Sequence, residues 1–118
     1  MRKIYLVEDD EAIREILEIL LSSENYSVLS FANVLDFRRR DLTQTPDLYL
    51  FDVMLPDGSG IDLCEQIKNN SESRDTPVII MSAHAQISNI YKSCAPDDFI
   101  SKPFDIDNLL SRIGQIMH

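Results

Sequence analysis

Several common functional signatures are missing from this 118-residue chain. Its two cysteines, Cys64 and Cys94, have no metal-ligand spacing and fall in helix-like patterns. They read as buried or partly buried thiols in a reducing compartment rather than as a disulfide. Basic residues are scarce: 11 Lys and Arg face 20 Asp and Glu, for a formal charge of −9. That balance argues against direct contact with nucleic acid or an anionic membrane surface, since both require basic patches. The one basic run, Arg38-Arg39-Arg40, lies in a short helix-like segment and reads as a solvated face. No apolar stretch approaches membrane-spanning length, and Met1-Arg2-Lys3 leads directly into a strand pattern rather than a signal peptide, so a cytoplasmic location is expected. There is also no internal repeat, low-complexity tract or linker. The length suits one domain with one core, expected to span residues 1–118.

The chain does contain alternating strand and helix patterns from end to end. Ile4-Tyr5-Leu6-Val7, Leu48-Tyr49-Leu50-Phe51 and Val78-Ile79-Ile80-Met81 are continuous apolar runs, the pattern of parallel strands buried on both faces. Tyr26 to Phe31 and Asp98 to Ser101 supply two more strands. Between them lie an amphipathic helix capped by Asp10, a weaker one from Asn33 to about Arg40, and a third marked by Ile61, Cys64, Ile67 and Lys68. A short fourth follows over about 86–94, and a terminal helix capped by Asp105 ends the chain. This predicts a doubly wound α/β fold: a five-stranded parallel sheet of order 2-1-3-4-5 flanked by five helices, flavodoxin-like.

In open α/β sheets, ligands bind beyond the carboxyl ends of the strands. There the first strand ends in Glu8-Asp9-Asp10, the third in Asp52 and the fourth in Ser82, with Lys102 just after the fifth. Asp10 suits a helix cap. Glu8, Asp9 and Asp52 converge, and like charges a few ångströms apart repel by roughly 4 kcal/mol per pair at an effective dielectric near 20. The cluster therefore calls for a cation or a retained proton. Oxygen-only donors suit magnesium first, with manganese or calcium as alternatives. A carboxylate beside such an ion can attack phosphorus, with Lys102 balancing charge on the phosphoryl oxygens and the Ser82 hydroxyl donating to one of them.

The order and spacing of Leu6-Val7-Glu8-Asp9-Asp10, Asp52 through Met54, Pro56 and Gly60, Met81-Ser82-Ala83, Asp97-Asp98-Phe99 and Lys102-Pro103-Phe104 strongly resemble the receiver domain of two-component response regulators. The resemblance covers essentially the whole chain. It implies that Asp52 accepts a phosphoryl group from a sensor histidine kinase or phosphotransfer protein. It also implies a metal held by Glu8, Asp9, Asp52 and the Met54 backbone carbonyl, with Asp9 the direct ligand of the acidic pair. Ser82 and Phe99 become the switch pair, and Met54 and His84 the positions that tune loss of the phosphoryl group. The Lys102-Pro103 bond is expected to be cis. The output is expected on the fourth helix, last strand and terminal helix, serving an effector domain or protein. Asp97, Asp98 and Arg112 resemble part of a charged dimer set, which leaves a homodimer open. The chain departs from the family in three ways: a shortened stretch between Ser82 and Phe99, Ala95-Pro96 where Gly-Ala is common, and Phe99 in place of tyrosine.

Two rival enzymes fit less well. A phosphatase of the haloacid dehalogenase type needs a second acid two residues after the nucleophile, where Met54 stands, and a Toprim-like nuclease would need Asp105-Ile106-Asp107 away from a helix start. An interaction module that is never phosphorylated would more naturally have lost Asp52, Lys102 or the acidic pair. The expectation is a signalling domain that catalyses only its own phosphoryl acceptance and loss.

Overall fold

The computed structural model describes residues 1–83 and 94–117. The expected helix over 86–94 (apart from Cys94, buried and non-helical), His84 and Lys92 lie outside the described residues. The chain begins with β1 (Lys3–Val7), α1 (Glu11–Ser23), β2 (Ser27–Phe31), α2 (Val34–Arg38) and β3 (Leu48–Asp52). A small hairpin, β4 (Met54–Leu55) and β5 (Gly58–Ser59), leads into α3 (Gly60–Asn69), and β6 (Val78–Ser82), β7 (Asp98–Ser101) and α4 (Ile106–Met117) complete it. The five long strands form one parallel sheet in the order β2-β1-β3-β6-β7, which is the expected 2-1-3-4-5 arrangement. Four helices, not five, stand among the described residues.

The central strands β1, β3 and β6 are almost wholly buried because both of their faces are covered. Successive side chains alternate between the faces, which divides the core into two layers. Tyr5, Val7, Tyr49, Phe51, Val78, Ile80 and Phe99 pack with α2 and α3. Ile4, Leu6, Leu48, Leu50, Ile79, Met81 and Ile100 pack with α1 and α4. The first layer is aromatic: Tyr5, Phe31, Phe37, Tyr49 and Phe51 meet mostly edge to face, with centroids 5.3 to 6.0 Å apart. Each such pair adds about 0.5–1.5 kcal/mol beyond its buried area. Arg40 departs from the solvated face expected of the basic run. Its guanidinium lies 4.0 Å over the Phe37 ring and donates to Phe37 O, while Arg38 and Arg39 stay exposed.

Helix starts are set by local chemistry. Asp10 accepts from Ile13 N–H at 3.1 Å and Ser59 from Ile61 N–H at 3.1 Å, and Asp105 accepts from Asp107 and Asn108 N–H. The five-residue α2 is too short to be stable alone. Asn33 accepts from Asp36 N–H, and Asp57, distant in sequence, accepts from Val34 N–H at 2.8 Å and Leu35 N–H at 3.0 Å.

Candidate functional site

The parallel register brings the ends of β1, β3 and β6 together, pairing Val7 with Phe51 and Asp52 with Met81. Backbone bonds continue past the strands and fix the residues that follow. Glu8 N–H donates to Phe31 O, Val53 N–H to Met81 O and Lys102 N–H to Ser82 O, at 2.8 to 3.0 Å. Glu8, Asp9 and Asp52 each present a carboxylate oxygen, and these oxygens lie within 4.8 Å of one another. Glu8 is fully buried, Asp52 is 5 % exposed and Asp9 faces solvent. Lys102, its side chain only 13 % exposed, donates to Glu8 Oε1 and places Nζ 3.3 Å from Asp52 Oδ2. Its peptide bond to Pro103 is cis, as expected.

The electrostatics follow from burial. Desolvation pushes the Glu8 carboxyl up to about 7; the bond from Lys102 pulls the other way, and Asp52 adds to the rise. Burial works against the Lys102 ammonium, yet Glu8 and Asp52 outweigh it and hold the lysine above its ordinary value. In this state Lys102 is the counter-charge for two buried carboxylates. Three oxygen donors with one open to water fit a hard divalent cation that keeps part of its hydration, magnesium above all.

Ser82 is 2 % exposed at the end of β6, and Phe99 is 6 % exposed within the aromatic layer, so its ring already points inward. Met54 is 63 % exposed on β4, two residues beyond Asp52.

One supporting residue escaped the sequence reading, and one motif residue gains a steric reason. Arg14 donates to Glu8 O at 2.9 Å and Asp9 O at 3.4 Å, tying the acidic turn to α1. A lone arginine in the first turn of a helix, soon after an acidic run, is the only hint the sequence offers. Gly60 is demanded by close approach: a Cβ there would stand 2.1 Å from Asp52 O, and its N–H donates to Val53 O.

An open parallel sheet whose central strands end in a largely buried, lysine-paired acidic cluster that could hold a cation defines a doubly wound α/β protein with its site at one edge. The family model of the response regulator receiver domain matches residues 4–114. The chain belongs to that family, the receiver domains of two-component response regulators. It is 39% identical to the response regulator ArlR of Staphylococcus saprophyticus over 99% of this chain and 53% of that protein, and 36% identical to the transcriptional regulatory protein GltR of Pseudomonas aeruginosa over 98% and 49%. The chain therefore spans about half the length of these curated relatives. Among solved structures it resembles the non-phosphorylated HemR receiver domain of Leptospira biflexa, with a TM-score of 0.87 and 30% identity over 99% of this chain and 94% of that one. It shares its fold with the response regulator protein TrrA of Thermotoga maritima in complex with Mg(2+)-BeF (TM-score 0.85, 23% identity, 98% and 99% covered).

Proposed function

We propose that residues 1–118 form one receiver domain in which Asp52 is the phosphoacceptor. The observation that carries this is the Asp52 carboxylate itself: buried at the end of the central strand β3, 3.3 Å from the Lys102 ammonium and grouped with Glu8 and Asp9. In the transfer, an Asp52 oxygen bonds to phosphorus as the bond from phosphorus to a kinase or phosphotransfer-protein histidine breaks. The leaving imidazole keeps that electron pair. Lys102 turns from its carboxylate partners toward the phosphoryl oxygens, and the Ser82 hydroxyl donates to one of them. Glu8, Asp9, Asp52 and the Met54 carbonyl would hold magnesium or manganese, which supplies positive charge against those oxygens. Hydrolysis reverses the modification at a rate tuned by Met54 and His84. No external metabolite is turned over; a second acid, which a phosphatase would need at Met54, is absent.

Ser82 and Phe99 form the switch, and the face built from β7 and α4 carries the output to an effector domain or protein. A homodimer through this face is one form that output can take. No described helix is long and apolar enough to cross a membrane, and a kinase partner of this type places the domain in the cytoplasm. Incubation with acetyl phosphate and magnesium should add one phosphoryl group, seen by intact mass, to the wild type and none to Asp52→Asn. Equal labelling of the variant would refute the assignment.

A further inference from the structure

Asp9 is held differently from the two other acids of the site. Glu8 is engaged at every polar group: its N–H donates to Phe31 O, its C=O accepts from Arg14, and its carboxylate oxygens accept from Lys102 and, at 3.4 Å, from Asp10 N–H. Asp52 is buried at the end of β3, paired with Met81. Asp9 faces solvent, and among the described residues its one hydrogen-bond partner is Arg14, which reaches its C=O at 3.4 Å. Arg14 is the fourth residue of α1. Helical side chains lean toward the helix N-terminus, so this one overhangs the acidic turn. The Arg14 N–H closes the first helical turn on Asp10 O at 2.9 Å, and Nη1 reaches back to Glu8 O at 2.9 Å as well as to Asp9 O. One residue thus holds three successive carbonyls. Peptide units are planar, so the Glu8 and Asp9 carbonyls fix the two planes on either side of the Asp9 Cα, and with them the direction in which its side chain leaves the chain. Arg14 forms no ion pair with any described residue, and a cation is poorly placed in the first turn of a helix. Charge balance does not account for it; the carbonyls do.

We propose that Arg14 is a positioning residue for the metal site: by holding both peptide planes that flank Asp9, it aims the one solvent-facing carboxylate of the cluster at a divalent cation. This role rests on the reading of Glu8, Asp9 and Asp52 as magnesium ligands and adds a residue that supplies no ligand atom, since a guanidinium stays protonated and has no acceptor. Two effects of Arg14 oppose each other. Its charge works against a second cation nearby, whereas its hold on Asp9 favours one. The direction of the change on removing it therefore separates a positioning role from a purely electrostatic one.

Magnesium is titrated by calorimetry into wild type, Arg14→Met, Arg14→Lys and, as a reference, Asp9→Ala. Methionine keeps an unbranched apolar stem and has nearly the helix propensity of arginine, so α1 should stay folded. Arg14→Met should bind magnesium about tenfold more weakly, the scale on which metal sites respond to losing a group that orients a ligand, although a positive charge has left an acidic site. Arg14→Lys, which keeps a donor on a shorter reach, should fall between the two. Without added magnesium, the Asp10 amide should exchange faster in Arg14→Met than in wild type. Labelling of Asp52 by acetyl phosphate should be slower in Arg14→Met at limiting magnesium and return to within about twofold of wild type at saturating magnesium, as for a residue that acts through the metal ligand. Wild-type or tighter magnesium binding by Arg14→Met would overturn the proposal. So would a labelling defect that persists at saturating magnesium, which would place Arg14 on the phosphoryl group instead. An Asp9→Ala variant that binds magnesium as tightly as wild type would sink the metal reading and this role with it; weakened Asp9→Ala beside unchanged Arg14→Met would sink this role alone.

Discussion

Replacing Lys102 by methionine keeps most of the side-chain volume and removes only the ammonium. That charge stands 3.3 Å from Asp52 Oδ2 and is bonded to Glu8, which is fully buried. At 3.3 Å the gross attraction of one pair is ~5 kcal/mol at an effective dielectric near 20. Part of it is offset by the cost of burying the ammonium, and removing one partner of a buried pair typically costs about 3–5 kcal/mol. With one carboxylate still reached by water at Asp9, we take about 3 kcal/mol, a fall in Tm of roughly 12 °C for a domain of this size. The effect depends on pH. A buried acid whose folded pKa is raised binds more protons folded than unfolded, so the strain of ionising Glu8 is absent below its ordinary value of 4.5 and develops as pH rises through about 7. The variant loses the group that holds this rise in check, so its deficit should be small near about pH 5 and full near about pH 8. Magnesium should restore part of the loss at the higher pH, by about 2.7 kcal/mol when present at 100 times its Kd. Thermal melts at the two pH values, with and without magnesium, measure all of this. Equal melting of variant and wild type near pH 8 without metal, or a deficit larger in acid, would refute the reasoning.

Gly60→Ala should destabilise the fold by at least about 3 kcal/mol and reduce phosphoryl uptake at Asp52, because the new Cβ would stand 2.1 Å from a backbone oxygen that no rotamer can move; urea melts and labelling read both. Asp9→Ala should leave the melting curve nearly unchanged, since the residue is exposed, while weakening magnesium by about tenfold or more in a titration. Asp57→Ala should lower the urea midpoint by freeing Val34 and Leu35 N–H. Backbone bonds hold the Asp57 carboxyl below its ordinary value, so the difference should be full above that value and fade as pH falls through the depressed one.

The strands at the centre of the sheet were legible because Ile4 to Val7, Leu48 to Phe51 and Val78 to Met81 are unbroken apolar runs of strand length. Once those were placed parallel, the acids at their ends had to meet. The hairpin at Met54 to Ser59 leaves no trace in the sequence pattern, since strands of two residues are too short to show a period. Lys68 was read merely as one marker of the third helix pattern. It in fact donates to Arg74 O, Thr76 O and Asp97 Oδ2, and Asp97 accepts in turn from Val78 N–H, which ties α3 to the starts of β6 and β7. The bonds from Arg14 to the acidic turn and from Asp57 to α2 were also hidden. Like those of Lys68, they join separate elements, and neither periodicity nor propensity carries information across such a gap. Arg40 was hidden for a different reason: a charge run looks solvated until an aromatic face such as Phe37 is brought under it.

The division of the core into an aromatic and an aliphatic layer has an evolutionary consequence. Among the described residues the two faces of the sheet form separate packing clusters, so substitutions in one layer should combine additively with those in the other, whereas neighbours such as Phe37, Tyr49 and Phe51 must change in concert. A lineage carrying this domain can thus rebuild the layer beneath α1 and α4 residue by residue while the rings around Phe37 stay as they are. The acidic edge, fixed by backbone bonds at the strand ends, can stay in place through either history.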